Sequence, residues 1–446
     1  MSAARRKRVV FALDVTSVSG LNFTTGVQRV VREYLRANRS AVELIQYDHK
    51  RDTWHVIPEL PVLVTREREG AAAKMRMLAE KTSSTMVREV MRPGLKEFLR
   101  ELPFARRGYE WWKHFNARHL QAQTLVKDYK LSEQPEWQPT PSTTYVMLDL
   151  PLRKEHAMAM EDLFRRPEVH SMVYLHDLFP LSHRHLFDRA GHQRARTLHL
   201  QYLDAVSRAD CVAANSAFTL GQYRDFCRVL EESSFESQKT TIVHLPWPQL
   251  ASAGTPDPAI ADRMFGDAAV KVLLVGQLDT RKNFQVVVRA VKLLIERGVD
   301  VRLGILAGYS TLTDEALRDA LESCSPDVRE RITIEGVVTD AELLAIYDSA
   351  NLVAVPSVAE GFGLPVIESL SRGKRVIAAD ATALSELGTL FGTDAVTIVD
   401  PFDPAKWARA IVDVAKRPTL PAVKVPKSIP KDWNDFHARL LAAAGR

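Results

Sequence analysis

Leu352-Val353-Ala354-Val355, followed after four residues by Glu360-Gly361-Phe362-Gly363-Leu364-Pro365-Val366-Ile367-Glu368, is the stretch that decides the fold. The apolar run predicts a buried strand, and the segment through Leu370 predicts a helix. Gly361 and Gly363 allow a tight turn or close backbone approach. Pro365 suits the first helical turn, where a missing N–H costs nothing. Strand, glycine loop and helix N-terminus in this order describe an anion-accepting end of a parallel sheet. Glu360 on the loop and Glu368 about one turn into the helix are expected to face one crevice.

The pattern extends in both directions. Strands are predicted at Val270–Gly276, Val301–Leu306, Arg331–Glu335, Val376–Ala379 and Ala395–Val399. Helices are predicted over Phe284–Ile295, Glu315–Leu321, Ala341–Ala350 and Pro404–Val414. Alternating strands and helices imply a parallel sheet covered on both faces, with ligands at the carboxyl ends of the strands. The first half reads similarly: strand Val9–Leu13, a helix carrying Val27, Val30, Val31, Tyr34 and Leu35 on one face, then strands Tyr145–Leu148, Val169–Leu175, Cys211–Ala214 and Thr241–His244. The expected fold class is α/β, with two Rossmann-like, doubly wound parallel-sheet domains facing across a cleft. Residues 1–250 form the first domain and 251–424 the second. The Pro/Ala/Gly-rich stretch Pro246–Pro258 is expected to link them, and a C-terminal helix, 425–446, to rejoin the first.

At 446 residues, with 46% hydrophobic and 26% charged residues, the chain has an ordinary globular composition and room for two cores. No apolar run approaches the roughly 20 residues that span a bilayer. Arg5-Arg6-Lys7-Arg8 before Val9–Leu13 resembles a signal peptide, but Asp14 ends the apolar stretch early and no small-residue cleavage site follows. Cys211, Cys227 and Cys324 have no metal-ligand spacing and do not make a disulfide framework. A cytoplasmic protein is expected. Residues 1–250 carry 37 Lys and Arg against 29 Asp and Glu, and residues 251–446 carry 23 against 26. A basic front half suits an anionic partner, although so small a surplus equally describes a solvated surface. Between about 71 and 130, Arg88, Arg92, Lys96, Arg100, Arg106, Arg107, Lys113 and Arg118 are set among Met86, Val90, Leu95, Phe98, Phe104, Trp111, Trp112 and Phe115. This predicts a helical insertion, either packed on its own domain or lying at an anionic membrane surface.

Three further motifs bear on chemistry. Val275-Gly276-Gln277-Leu278-Asp279-Thr280-Arg281-Lys282-Asn283 opens the second domain's first helix, with Arg281 and Lys282 placed to clamp a diphosphate. Thr24-Thr25-Gly26-Val27-Gln28-Arg29 makes a similar turn in the first domain. Val173-Tyr174-Leu175-His176-Asp177-Leu178-Phe179-Pro180 exposes His176 and Asp177 at a strand's carboxyl end, where a histidine can bond a sugar hydroxyl or a leaving phosphate. Phosphate-binding amides with carboxylates beside them suit a sugar nucleotide. There is no Asp-x-Asp, no Walker A sequence and no Gly-x-Gly-x-x-Gly after the first strand, so metal, ATP and NAD readings lose support.

Together these residues resemble the large retaining glycosyltransferase family of the GT-B fold often called family 4. The resemblance is specific from about Val270 to Ala415, through Glu360–Glu368, Gly276…Arg281-Lys282-Asn283, Glu335-Gly336-Val337 and Asp400-Pro401. It is thinner in the first half, where Thr25–Val30 and His176–Pro180 resemble mannosyl- and rhamnosyl-type members that build bacterial surface polysaccharides. Trp433 in the final amphipathic stretch resembles the family's C-terminal helix.

The resemblance implies catalytic roles for His176, Glu360, Arg281 and Lys282. It implies donor contacts at Gly26, Gln277, Asn283, Val337, Gly361, Phe362, Gly363, Leu364 and Glu368, with Glu368 holding the ribose, and acceptor-side positions at Asp14 and Asp177. Many members carry Arg where this chain has Gln277. The expected activity is metal-independent, retaining transfer of a mannose-like hexose from a GDP-linked donor to a saccharide or lipid-linked saccharide of surface polysaccharide or lipopolysaccharide. No cofactor, metal or nucleic acid is expected, and peripheral contact with the inner membrane face is. A sugar-nucleotide 2-epimerase of the same fold and a non-catalytic scaffold stay open as alternatives.

Overall fold

The computed structural model describes residues 10–18, 26–58, 60, 130–187, 192–230, 237–248, 258–307, 315–336, 338–418 and 420–445. Nearly all of the 71–130 insertion, Thr24, Thr25, Val337 and most of the Pro246–Pro258 stretch lie outside the described residues.

Two parallel sheets organise the chain. Among the described residues the first has seven strands: β1 Val10–Asp14, β2 Val42–Asp48, β3 Thr53–Ile57, β4 Thr143–Met147, β5 His170–Leu175, β6 Cys211–Ala214 and β7 Lys239–Ile242. Their spatial order is β3-β2-β1-β4-β5-β6-β7, and among the described residues only β3 runs antiparallel. The second has six: β8 Val270–Gly276, β9 Val301–Ala307, β10 Ile332–Glu335, β11 Leu352–Val355, β12 Arg375–Ala379 and β13 Val396–Val399, in the order β10-β9-β8-β11-β12-β13. Val272, Leu273, Leu274, Leu352, Val353 and Ala354 are buried, because helices cover both faces of such a sheet.

In each sheet the strand order reverses once, between β1 and β4 and between β8 and β11. Open α/β sheets bind ligands outside the carboxyl ends of the strands at this reversal. The architecture thereby marks two places: Asp14 to Ser17 beside Asp149 in the first domain, and Gly276 to Lys282 beside Ser357 to Glu360 in the second.

The chain crosses between the sheets twice. The outgoing segment meets the returning one where the Trp247 N–H donates to the Pro430 carbonyl at 2.8 Å. The final helix, Trp433–Ala443, then packs on the first domain. Tyr34 Oη and His437 Nδ1 are 2.6 Å apart, Asn38 Nδ2 donates to the Trp433 carbonyl at 3.0 Å, and Phe436 meets the Tyr174 ring edge-on.

The first half departs from expectation in two places. The hairpin β2–β3 adds strands that apolar runs alone did not mark. The last strand is Lys239–Ile242 rather than Thr241–His244. Its own residues are half-exposed at a sheet edge, whereas the more apolar Val243 and Leu245 are buried just beyond it, where the chain leaves for the second domain.

Candidate functional site

The second domain's reversal point is built around a buried carboxylate. After β8, Gly276 admits the stem of Lys282: a Cβ at 276 would stand 3.1 Å from Lys282 Cε. Asp279 caps the short Thr280–Lys282 turn by accepting the Lys282 N–H. These contacts aim Lys282, 8% exposed, at Glu360, and its Nζ bonds Glu360 Oε1. Arg281 Nη1 donates to the Ala359 carbonyl at 3.1 Å and lies 3.7 Å from Glu360 Oε2. Ser357 Oγ donates to Glu360 at 3.1 Å, and the Glu360 N–H donates to Thr382 Oγ1. Burial alone would raise the Glu360 carboxyl, but Lys282 and Arg281 outweigh it and hold the group below its ordinary value. The result is an anion fixed between two cations at the carboxyl edge of the sheet.

The glycine loop carries this cluster to the first domain. A Cβ on Gly361 would fall 2.0 Å from the His176 carbonyl oxygen and 3.2 Å from Asp177 Cβ, so only glycine lets these backbones meet. Ser216 Oγ donates to the Gly361 carbonyl at 2.6 Å, and Asn215 Nδ2 donates to the His176 carbonyl at 2.8 Å. Gly363 has φ +97° and starts the helix Leu364–Ser371. Nearby, Glu386 of the second domain accepts the Ala217 N–H at 2.8 Å and lies 3.0 Å from His244 Nε2.

His176 is 8% exposed, with Nε2 2.8 Å from the Leu148 carbonyl. A carbonyl only accepts, so Nε2 carries the proton and Nδ1 is the acceptor. Burial lowers its pKa, opposed by the Leu148 carbonyl and by Asp149 and Asp177. Asp177 is half-buried, accepts the Phe179 N–H and acts electrostatically on Arg281. His176, Asp177, Gly361, Glu360, Arg281 and Lys282 therefore form one neighbourhood.

Glu368 is held differently. Arg29 of the first domain reaches across to it, with Nη1 at 2.7 Å from Oε1, while Tyr347 Oη donates to Oε2 at 3.3 Å. The Glu368 charge, partly countered by burial, raises the Arg29 pKa. Gly26 begins the helix Gly26–Asn38 that carries Arg29, with open space around its Cα.

The remaining sequence-predicted positions divide. Gln277 is exposed on the loop and Leu364 is half-buried. The Phe362 side chain is buried, its ring 5.8 Å from that of His244, which leaves its backbone as the available contact. Two expectations need correction. Asn283 is 3% exposed, and its Nδ2 donates to the carbonyls of Pro356 and Pro401 at 3.1 and 2.8 Å. It ties loops together rather than presenting an amide to a donor. Asp14 is 0% exposed, saturated by Thr16, by Tyr145 Oη at 2.5 Å and by His156 Nε2 at 2.6 Å. Burial opposes, but these partners hold its pKa down, and it reaches no acceptor. Arg29, Ser357, Tyr347 and Asp149 gained no role from sequence. For Asp149 the signal was present, because Leu148-Asp149 ends β4 much as His176-Asp177 ends β5.

Among the described residues, no group of three or more His, Cys, Asp or Glu side chains is placed to hold a metal ion, and no helix is long and apolar enough to cross a membrane.

Residues 269–417 match the family model of glycosyl transferases group 1. The chain is 25% identical over 222 residues to the serotype-specific mannosyltransferase WbdA of Escherichia coli, covering 48% of this chain and 25% of that protein. It is 35% identical over 133 residues to the O-antigen chain mannosyltransferase B of Escherichia coli, covering 29% and 33%. These alignments therefore take in at most a third of either relative. Sucrose-phosphate synthase from Thermosynechococcus elongatus superposes with a TM-score of 0.55 at 19% identity, over 98% of this chain and 96% of that one. The fold is GT-B, and residues 269–417 are similar to the glycosyl transferases group 1 family.

Proposed function

We propose that the protein is a retaining, metal-independent glycosyltransferase that moves a mannose-type hexose from a GDP-linked donor to a saccharide or lipid-linked saccharide of bacterial surface polysaccharide. The observation that carries this reading is the Arg281–Lys282–Glu360 cluster, set at the strand-order reversal of the second sheet and joined through Gly361 to His176. The mannosyltransferase relatives support the sugar, and the group 1 match supports the use of an activated donor.

In this reading the second domain holds the nucleotide diphosphate. Arg281 and Lys282 are the cations that stabilise the charge developing on the departing phosphate. Glu360 positions Lys282 and accepts a hydroxyl of the sugar, and Glu368 serves the ribose once Arg29 yields one carboxylate oxygen. His176 Nδ1 accepts a hydroxyl of the donor sugar. The bond from the anomeric carbon to the phosphate oxygen breaks, the acceptor oxygen attacks on the same face, and its proton passes to the leaving diphosphate.

The test is a thermal-shift and hydrolysis screen across GDP-, UDP- and dTDP-sugars. Stabilisation by a GDP-sugar, with slow release of GDP, is expected. No response to any nucleotide diphosphate would favour a scaffold, and isomerisation of the donor sugar without acceptor would favour an epimerase. Glu360→Ala or Lys282→Ala with undiminished transfer would also overturn the reading.

A further inference from the structure

One helix of the second domain, Thr382–Phe391, is tied to the glycine loop at its start and to the first domain one turn later. At the start, Thr382 Oγ1 accepts the Glu360 N–H at 3.0 Å and the Ala383 N–H donates to the Glu360 carbonyl at 3.3 Å. Leu384 closes on the loop from the same side, since a Cβ at Gly363 would stand 2.8 Å from Leu384 Cδ2. Thr382 holds this place at φ +51°, a conformation that a β-branched residue keeps only where its surroundings enforce it.

Glu386 is four residues on, and so on the same face of the helix as Thr382. Both of its oxygens are engaged outside its own domain. Oε2 accepts the Ala217 and Phe218 N–H groups at 2.8 and 3.4 Å, which are the first two amides of the first-domain helix Ala217–Val229. Helix N-termini leave such donors free and favour a negative charge beside them. Oε1 lies 3.0 Å from Nε2 of His244, where the chain leaves the first sheet, and Nδ1 of the same ring is 3.3 Å from the carbonyl of Ser428 on the returning segment. Glu386 therefore touches the first domain and, through His244, both crossings between the domains.

The turn that Glu386 caps is the one that grips the site. Ser216, the N-cap of that helix, donates to the Gly361 carbonyl at 2.6 Å, and Thr219 Oγ1 reaches the same oxygen at 3.4 Å and the His176 carbonyl at 3.3 Å. Asn215 Nδ2 donates to the His176 carbonyl at 2.8 Å. Fixing this turn fixes how Gly361 meets His176.

We propose that Glu386 is a positioning residue for transfer. It caps a helix of the opposite domain, and so sets the closure at which the Arg281–Lys282–Glu360 cluster and His176 face one another. This deepens the glycosyltransferase reading and rests on it for its kinetic consequence.

The experiment compares wild type with Glu386→Ala, Glu386→Gln, Ser216→Ala and the Ser216→Ala/Glu386→Ala double variant. The probes are GDP for binding, and GDP-mannose with methyl α-D-mannopyranoside for transfer. Glu386→Ala is expected to bind GDP within about twofold of wild type, because the diphosphate cluster stays intact, while kcat falls at least about tenfold. Glu386→Gln keeps an oxygen for the Ala217 N–H and should recover part of the loss. The double variant should lose less than the product of the single losses, because both side chains act on one turn. Small-angle scattering of the ligand-free proteins should give Glu386→Ala a larger radius of gyration than wild type, a readout that needs no substrate. Wild-type kcat in folded Glu386→Ala would overturn the inference, even with a lowered melting temperature, since a merely stabilising contact leaves the folded enzyme's turnover alone. GDP binding lost in step with kcat would also overturn it, by making Glu386 a prop of the donor site. If wild type neither binds GDP nor transfers mannose, the donor reading fails by itself. Scattering then decides whether Glu386 sets the closure, and an unchanged radius would overturn that too.

Discussion

Lys282→Met isolates the interaction on which the second domain's site is built. The variant keeps the aliphatic stem that packs against Gly276 but removes the ammonium bonded to Glu360. Breaking a buried ion pair costs about 3–5 kcal/mol, because it strands the other charge. Here Arg281 remains 3.7 Å from Glu360 and Ser357 still donates to it. The loss at pH 7.5 should therefore be near the low end, about 3 kcal/mol. For a domain of about 150 residues that corresponds to a melting temperature lower by roughly 6–12 °C.

The pH dependence is the sharper signature. In wild type Glu360 titrates below its ordinary 4.5, so its contribution is present above that value and is lost only as pH falls through the depressed one. In Lys282→Met burial dominates and raises the Glu360 pKa above 4.5. Stability is then greatest below 4.5 and declines as pH rises through the raised value. The gap between the two proteins should narrow on acidification from pH 7.5 toward pH 4. Urea unfolding at several pH values measures it, and Lys282→Met/Glu360→Gln should recover most of the loss. A gap that is absent at pH 7.5, or that stays constant with pH, would refute the reasoning.

Other outcomes follow from the same contacts. Gly361→Ala places a methyl 2.0 Å from the His176 carbonyl. Transfer should fall by at least about tenfold while GDP binding by the second domain changes little, as steady-state and titration assays would show. Arg29→Ala frees one oxygen of Glu368; nucleotide binding should survive, and proteolysis should detect looser domain contact. His176 has a lowered pKa, so the acid limb of a pH–rate profile should not show histidine protonation at or above its ordinary 6.5. Asn283→Ala removes two bonds to loop carbonyls and should lower the melting temperature, consistent with about 1–3 kcal/mol for stranded buried carbonyls.

The second sheet was legible almost residue by residue. Val272–Val275 and Leu352–Val355 read directly because strands covered on both faces carry continuous apolar runs. The first sheet was less so: in the hairpin β2–β3 the apolar residues are interrupted by Glu43, Gln46 and His55, and β7 is an edge strand whose composition gives little signal. At the site, the residues that converge through short loops, Arg281, Lys282, Glu360 and Gly361, were visible as motifs. Contacts made over long separations were not. Arg29 pairs with Glu368 across 339 positions, and no local pattern announces that. Asp14 shows the opposite error. An acid at a strand's carboxyl end reads as a site residue, but two partners from 131 and 142 positions away, Tyr145 and His156, consume it.

The most direct test is equilibrium titration of GDP into wild type and Lys282→Ala at fixed ionic strength. Saturable binding to wild type, weakened at least about tenfold by the substitution, is expected if the cations beside Glu360 grip the diphosphate. Equal binding by both proteins, or none by wild type, would contradict it.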